Sequence, residues 1–133
     1  ETMIAFFQGV TSGKPRPRFS WTKEKDGSLV VRTVDQPARV TLWQAANPEA
    51  RDFRVDVIGR SYTATNLAGD KGVYVGKAAK PERGFRAFFV ELTYPGPGAY
   101  PYKFTTEVSV VPDVLPFRWE DARTKYSKKG PVN

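Results

Sequence analysis

The sequence predicts an all-β fold: an immunoglobulin-like antiparallel β-sandwich of about seven to eight strands, with a short N-terminal helix. Three observations carry this reading. Apolar and polar residues alternate with period two through most of the chain, clusters of Gly, Pro, Asn and Asp interrupt the alternation, and almost no helical periodicity lies between the interruptions. Short strands without intervening helices favour two stacked antiparallel sheets over a parallel one. The cysteine pair of antibody domains is absent, so only the architecture is implied.

Taken in order, Thr2 to Val10 places Ile4, Phe7 and Val10 on one face of a short helix, with Gly13 as its stop and Pro15 and Pro17 barring continuation. The first hairpin follows, and its register can be derived. A two-residue Asp26-Gly27 turn would set Trp21 opposite Arg32. A three-residue loop, Lys25-Asp26-Gly27 with Gly27 left-handed, sets Trp21 opposite Val31 and Phe19 opposite Thr33. The second alone keeps Phe19, Trp21, Leu29 and Val31 on one face, and a one-residue slip would turn that apolar set to water.

Further strands are expected at Arg39 to Ala46, Arg54 to Ile58, a short piece near Tyr62, Gly72 to Lys77, Phe85 to Tyr94 and Tyr102 to Val111. Phe88, Val90, Leu92 and Tyr94 form one face of their strand; Phe104, Thr106, Val108 and Val110 form one face of the next. Trp43 is expected to fill space between the sheets, with Leu42 inward as the alternative facing. Asn47 to Ala50 reads as a helical turn, with Asn47 as cap and Pro48 in the first helical position, and Arg51 and Asp52 read as local charge partners. The expected organisation is a helix and linker leaving a preceding domain over residues 1–17, the sandwich over 18–113, and a tail over 114–133.

Composition narrows the chemistry. The 133 residues suit one domain with a core large enough to need no disulfide or metal. There is no histidine and no cysteine, which removes most side chains used as general bases, metal ligands or activated nucleophiles near neutral pH. No Gly-x-Ser-x-Gly elbow and no calcium loop occurs, so no catalytic, cofactor or metal residue is assigned and no cofactor is expected. Net charge is +7, but the basic residues are scattered at Lys14, Arg16 and Arg18, at Arg51, Arg54 and Arg60, and at Arg118, Arg123, Lys125, Lys128 and Lys129. That is a solvated basic surface rather than a nucleic-acid motif, so no nucleic-acid partner is expected. No run has the length of a membrane span.

Several segments together carry a resemblance to a known family. They are VTLWQAANPEARDFR from Val40 to Arg54 with Ile58-Gly59, FFVELTY from Phe88 to Tyr94, and FTTEV from Phe104 to Val108 with Pro112-Asp113 and Leu115-Pro116-Phe117. The opening Ile4-Ala5-Phe6-Phe7 and the Pro-rich stretch to Phe19-Ser20-Trp21 join them. This pattern resembles the carboxy-terminal region of the PhoPQ-activated pathogenicity-related protein family. The resemblance implies a small β-sandwich at the carboxy end of an exported bacterial protein, periplasmic or secreted, with an α/β-hydrolase-like main domain. The nucleophile, acid and histidine of such a domain would lie upstream of Glu1.

Two functional readings follow. In the first, the chain is a non-catalytic accessory domain whose partner is the upstream hydrolase-like domain of the same chain. The interdomain surface is then Ile4 and Phe7 of the helix with Phe85 and Phe89 from the wetter strand faces, covered by that domain or by the tail from Leu115 to Trp119. In the second, an adhesive module recognises carbohydrate or an anionic surface through the rigid aromatic loop from Tyr94 to Tyr102, with Tyr94, Tyr100 and Tyr102 as ligand residues.

Overall fold

The computed structural model describes residues 2–118 and Glu120. An amino-terminal helix, α1 (Thr2–Thr11), precedes eight strands: β1 (Phe19–Lys23), β2 (Leu29–Thr33), β3 (Arg39–Asn47), β4 (Thr63–Asn66), β5 (Val73–Gly76), β6 (Phe85–Tyr94), β7 (Tyr102–Thr105) and β8 (Ser109–Val111). One further helical turn, α2 (Val55–Ile58), interrupts the connection from β3 to β4. All strand pairs are antiparallel. One sheet has the order β1-β2-β5; the other has the order β4-β3-β6-β7, with β8 also paired to β6. The fold is therefore mostly β and sandwich-like, with a short N-terminal helix, as the alternation implies.

The first hairpin has the derived register. Phe19 pairs with Thr33 and Trp21 with Val31. Gly27 takes φ +85°, a conformation glycine adopts without the steric cost of a Cβ. The loop closes through Glu24 N–H to the Ser28 carbonyl at 2.8 Å, while Asp26 Oδ1 accepts from the Ser28 amide and hydroxyl. Leu29 and Val31 are wholly buried, whereas Trp21 on the outer strand of that sheet stays exposed.

Leu29 and Val31 from one sheet meet Val40, Leu42, Phe88, Val90 and Leu92 from the other in a single core cluster. Each such side chain removed from water contributes about 1.5–3 kcal/mol before the entropy of ordering is subtracted. The inward parity of β6 is set by Phe88, Val90, Leu92 and Tyr94, as expected, and pairing carries it to β3. Leu92 lies opposite Val40 and Val90 opposite Leu42. Leu42 thus takes the inward position and Trp43, expected in the core, faces outward opposite Phe89, with the two rings stacked at 6.5 Å. Alternation alone does not say which of two apolar parities is inside. The partner strand decides it.

Four other expectations are corrected. Arg54 to Ile58 is not a strand: β3 is paired on both edges, by β4 and β6, and the segment that follows it forms one helical turn on which Val55 and Val57 lie exposed. The single strand expected from Tyr102 to Val111 is two. Thr105 pairs with Glu91 but Ser109 with Phe88, so one extra residue is accommodated between the pairings as a bulge. The bulge resets the alternation, and Ser109 and Val111 rather than Val110 take the inward positions. Finally, Asn47 does cap, its Oδ1 accepting from the amides of Glu49 and Ala50, but no helix follows. The Arg51 partner is Asp113, while Asp52 pairs with Arg54. Of the expected tail, Trp119 and the basic residues Arg123, Lys125, Lys128 and Lys129 lie outside the described residues.

Candidate functional site: a charge-free helix on the end of the core

The sequence of α1, TMIAFFQGVT, contains no charged residue. It stops where its pattern stops: Gly13 adopts φ +65° and donates to the Val10 carbonyl at 3.3 Å, and Thr11 Oγ1 donates to the Phe7 carbonyl. Its inner side is made of its two smallest residues. Ala5 joins the core cluster beside Tyr102, and Gly9 abuts the Tyr102 hydroxyl so closely that an added Cβ would collide with it. Small residues let the helix approach β7; the large ones are left outside.

Met3 is 85 % exposed, Phe7 68 % and Val10 62 %, and with Phe6, Lys103 and Phe104 they line an apolar groove of about 460 Å³. A helix apolar on both sides ordinarily lies between two packed layers. Here one layer is the sandwich and the other side faces solvent. The linker that follows the helix is tied to the sandwich. At its carboxy end, Asp35 accepts from the Arg18 backbone amide at 2.7 Å and from Arg18 Nε at 3.3 Å, and Val34 N–H donates to the Arg18 carbonyl. These bonds hold the Pro-rich linker to the β2–β3 turn, and the Arg18 contacts hold the Asp35 carboxyl below the usual carboxylate range.

The four residues expected to form one interdomain surface lie in two regions. Ile4 and Phe7 are on α1, at the end of the core. Phe85 and Phe89 are half-buried on the outer face of the β3–β6 pair, where Phe89 packs against Trp43 and Tyr62 and Phe85 shares a concavity with Leu115, Pro116 and Phe117. The tail segment thus does approach Phe85, anchored by Asp113, which accepts from Lys23 at 2.8 Å and from Arg51 at 3.3 Å. Met3, Phe6 and Val10 were missed as surface residues. The absence of charge along the whole helix was the available signal.

The aromatic loop does not present three tyrosines. Tyr94 and Tyr102 are 2 % and 3 % exposed and belong to the core; Tyr100, at 38 %, is the one turned outward. Tyr94 and Tyr102 pair directly across the β6–β7 ladder with their rings inward, because a strand whose inward parity ends in tyrosine buries it. Burial, with Asp35 and Tyr74 adding to it, pushes the Tyr94 phenol up to about 12. Among the described residues no group of three or more His, Cys, Asp or Glu side chains is arranged to hold a metal ion, and no helix is long and apolar enough to cross a membrane.

Fold and surface together define a two-sheet β domain carrying an apolar helix. The model of the family described as PhoPQ-activated pathogenicity-related protein matches residues 1–54, the stretch that holds α1, the linker and β1 to β3, so the resemblance read from the sequence is shown there. Autocrine proliferation repressor protein A of Dictyostelium discoideum is 30 % identical over 144 residues, an alignment that covers 87 % of this chain and 28 % of that protein. The chain therefore spans little more than a quarter of the length of that curated relative. No solved structure matches it.

Proposed function

We propose that this chain is a non-catalytic accessory β-sandwich at the carboxy end of an exported bacterial α/β-hydrolase-like protein, and that it packs on the upstream domain through α1. One observation carries the reading: a ten-residue helix with no charge, seated on the core by Ala5 and Gly9 and exposing Met3, Phe7 and Val10. Covering three such side chains is worth several kcal/mol, at about 1.5–3 kcal/mol each. The far greater length of the matched relative supplies the kind of neighbour that would cover them. The absence of histidine and cysteine from the sequence supports the non-catalytic role. An adhesive role of the aromatic loop would rest on Tyr100 alone.

Hydroxyl-radical footprinting of Met3 and Phe7, in the isolated chain and in the full-length protein, tests the docking. Strong protection in the full-length protein is expected, and equal reactivity in both overturns it. The isolated chain should give no turnover of esters, amides, phosphoesters or glycans above buffer; saturable turnover that survives repurification ends the non-catalytic reading.

A further inference from the structure

A second concavity, of about 530 Å³, lies between the linker and the β2–β3 turn. Its volume is in the range that holds a small organic molecule. Pro15, Pro17 and Pro95 supply rigid apolar walls, and Pro residues offer no backbone N–H to a ligand. The polar groups differ in kind. Arg16 lies with its guanidinium carbon 5.5 Å from the centroid of the Phe6 ring, which orients the group, and among the described residues it forms no ion pair with a carboxylate. Asp35, already bound to Arg18, is an acceptor; Gln36 is exposed and offers both acceptor and donors. Behind them Tyr94, 98 % buried, borders the cleft with a hydroxyl that has no hydrogen-bond partner.

We propose that this cleft binds a sugar acid, a polyhydroxylated ring carrying one carboxylate. The free guanidinium of Arg16 takes the carboxylate. Asp35 repels a second anion but accepts from hydroxyls, and Gln36 bonds hydroxyls in either sense, so the wall selects a hydroxylated monoanion over a simple polyanion. The proline rings cover the apolar face of the sugar. Arg18 stays on Asp35 and keeps that carboxylate ionised and oriented. The cleft touches the α1 docking groove only at Phe6, on which Arg16 stacks, and it is not the tyrosine loop, of which it uses only the Tyr94-Pro95 end.

Glucuronate and galacturonate, titrated against the whole chain by calorimetry and by amide chemical shifts, test the assignment, with glucose, galactose and acetate as controls. Saturable binding of a uronate, with shifts at Gln36 and Arg16, is expected. Arg16→Gln should weaken it at least about tenfold, the scale of a charge-assisted hydrogen bond, and Gln36→Ala by a smaller factor. Arg60→Gln, which removes the same charge elsewhere, should leave it unchanged. Both cleft side chains are exposed, so loss of binding is separable from loss of folding by the unchanged spectrum. Equal affinity for the neutral sugars removes the role of Arg16, equal affinity for acetate removes the role of the hydroxyls, and no saturable uronate binding removes the site; each result overturns the proposal.

Discussion

The inner face of β6 and the outer face of α1 are both apolar, yet they end in opposite environments. Phe88, Val90, Leu92 and Tyr94 are buried because the sheet partner β3 and the opposite sheet close over them. Met3, Phe7 and Val10 are exposed because α1 has only one side to give to the sandwich and gives its smallest residues. Apolar character therefore marks a surface that needs cover. It does not say whether the cover lies within the same domain.

This contrast can be broken or sharpened by substitution. The largest expected effect is Phe88→Ala, which removes a wholly buried ring and should cost about 3–5 kcal/mol in urea unfolding. A loss below about 1 kcal/mol would mean that the inner face is not packed as described. Gly9→Val drives a branched side chain into the Tyr102 hydroxyl and should cost about 1–3 kcal/mol, with α1 losing hydrogen-exchange protection before the strands do. Trp43→Ala should cost less than Phe88→Ala, about 1–2 kcal/mol, because the ring lies on the outer face against Phe89. A loss equal to that of Phe88→Ala would place it inside. Phe7→Ser should change the stability of this chain by less than about 0.5 kcal/mol while abolishing protection of the helix in the full-length protein.

Proton linkage probes the periphery. Hydrogen bonds, chiefly from Arg18, Arg54 and Lys23, hold the Asp35, Asp52 and Asp113 carboxyls below the ordinary value of 3.8. A lowered folded value gives stability that is present above the unfolded value and lost as pH falls through the folded one. The melting temperature should therefore hold down to about pH 5 and fall below about pH 4, with Asp113→Asn flattening part of the fall. Tyr94 has the opposite sign. Its folded value is raised, so its contribution is present below 10.0 and lost as pH rises through about 12. An ultraviolet titration should show a late tyrosine step that Tyr94→Phe removes.

Much of this architecture was legible in the chain. The hairpin register followed from Gly27 and the single facing that keeps Leu29 and Val31 with Phe19, and the inward parity of β6 followed from Phe88 to Tyr94. The errors of strand assignment share one cause. Trp43, Val55, Val57, Val108 and Val110 all sit in alternating segments, and alternation is a property of one strand, whereas facing, pairing and register belong to two. The candidate surface was half legible: Ile4 and Phe7 were readable from their helical spacing, but Phe85 and Phe89 belong to another face.

By itself the sequence determined the class of fold, the positions of most strands, the first turn and the exclusion of histidine and cysteine chemistry, because these depend on local φ preferences, short-range periodicity and residue inventory. Only the tertiary structure decided that Leu42 rather than Trp43 points inward, that a bulge turns Ser109 and Val111 into the core, that Tyr94 and Tyr102 are buried, and that α1 keeps an open side. Each of those outcomes depends on which element arrives at a given edge or face, and that arrival is a long-range event that no local pattern encodes.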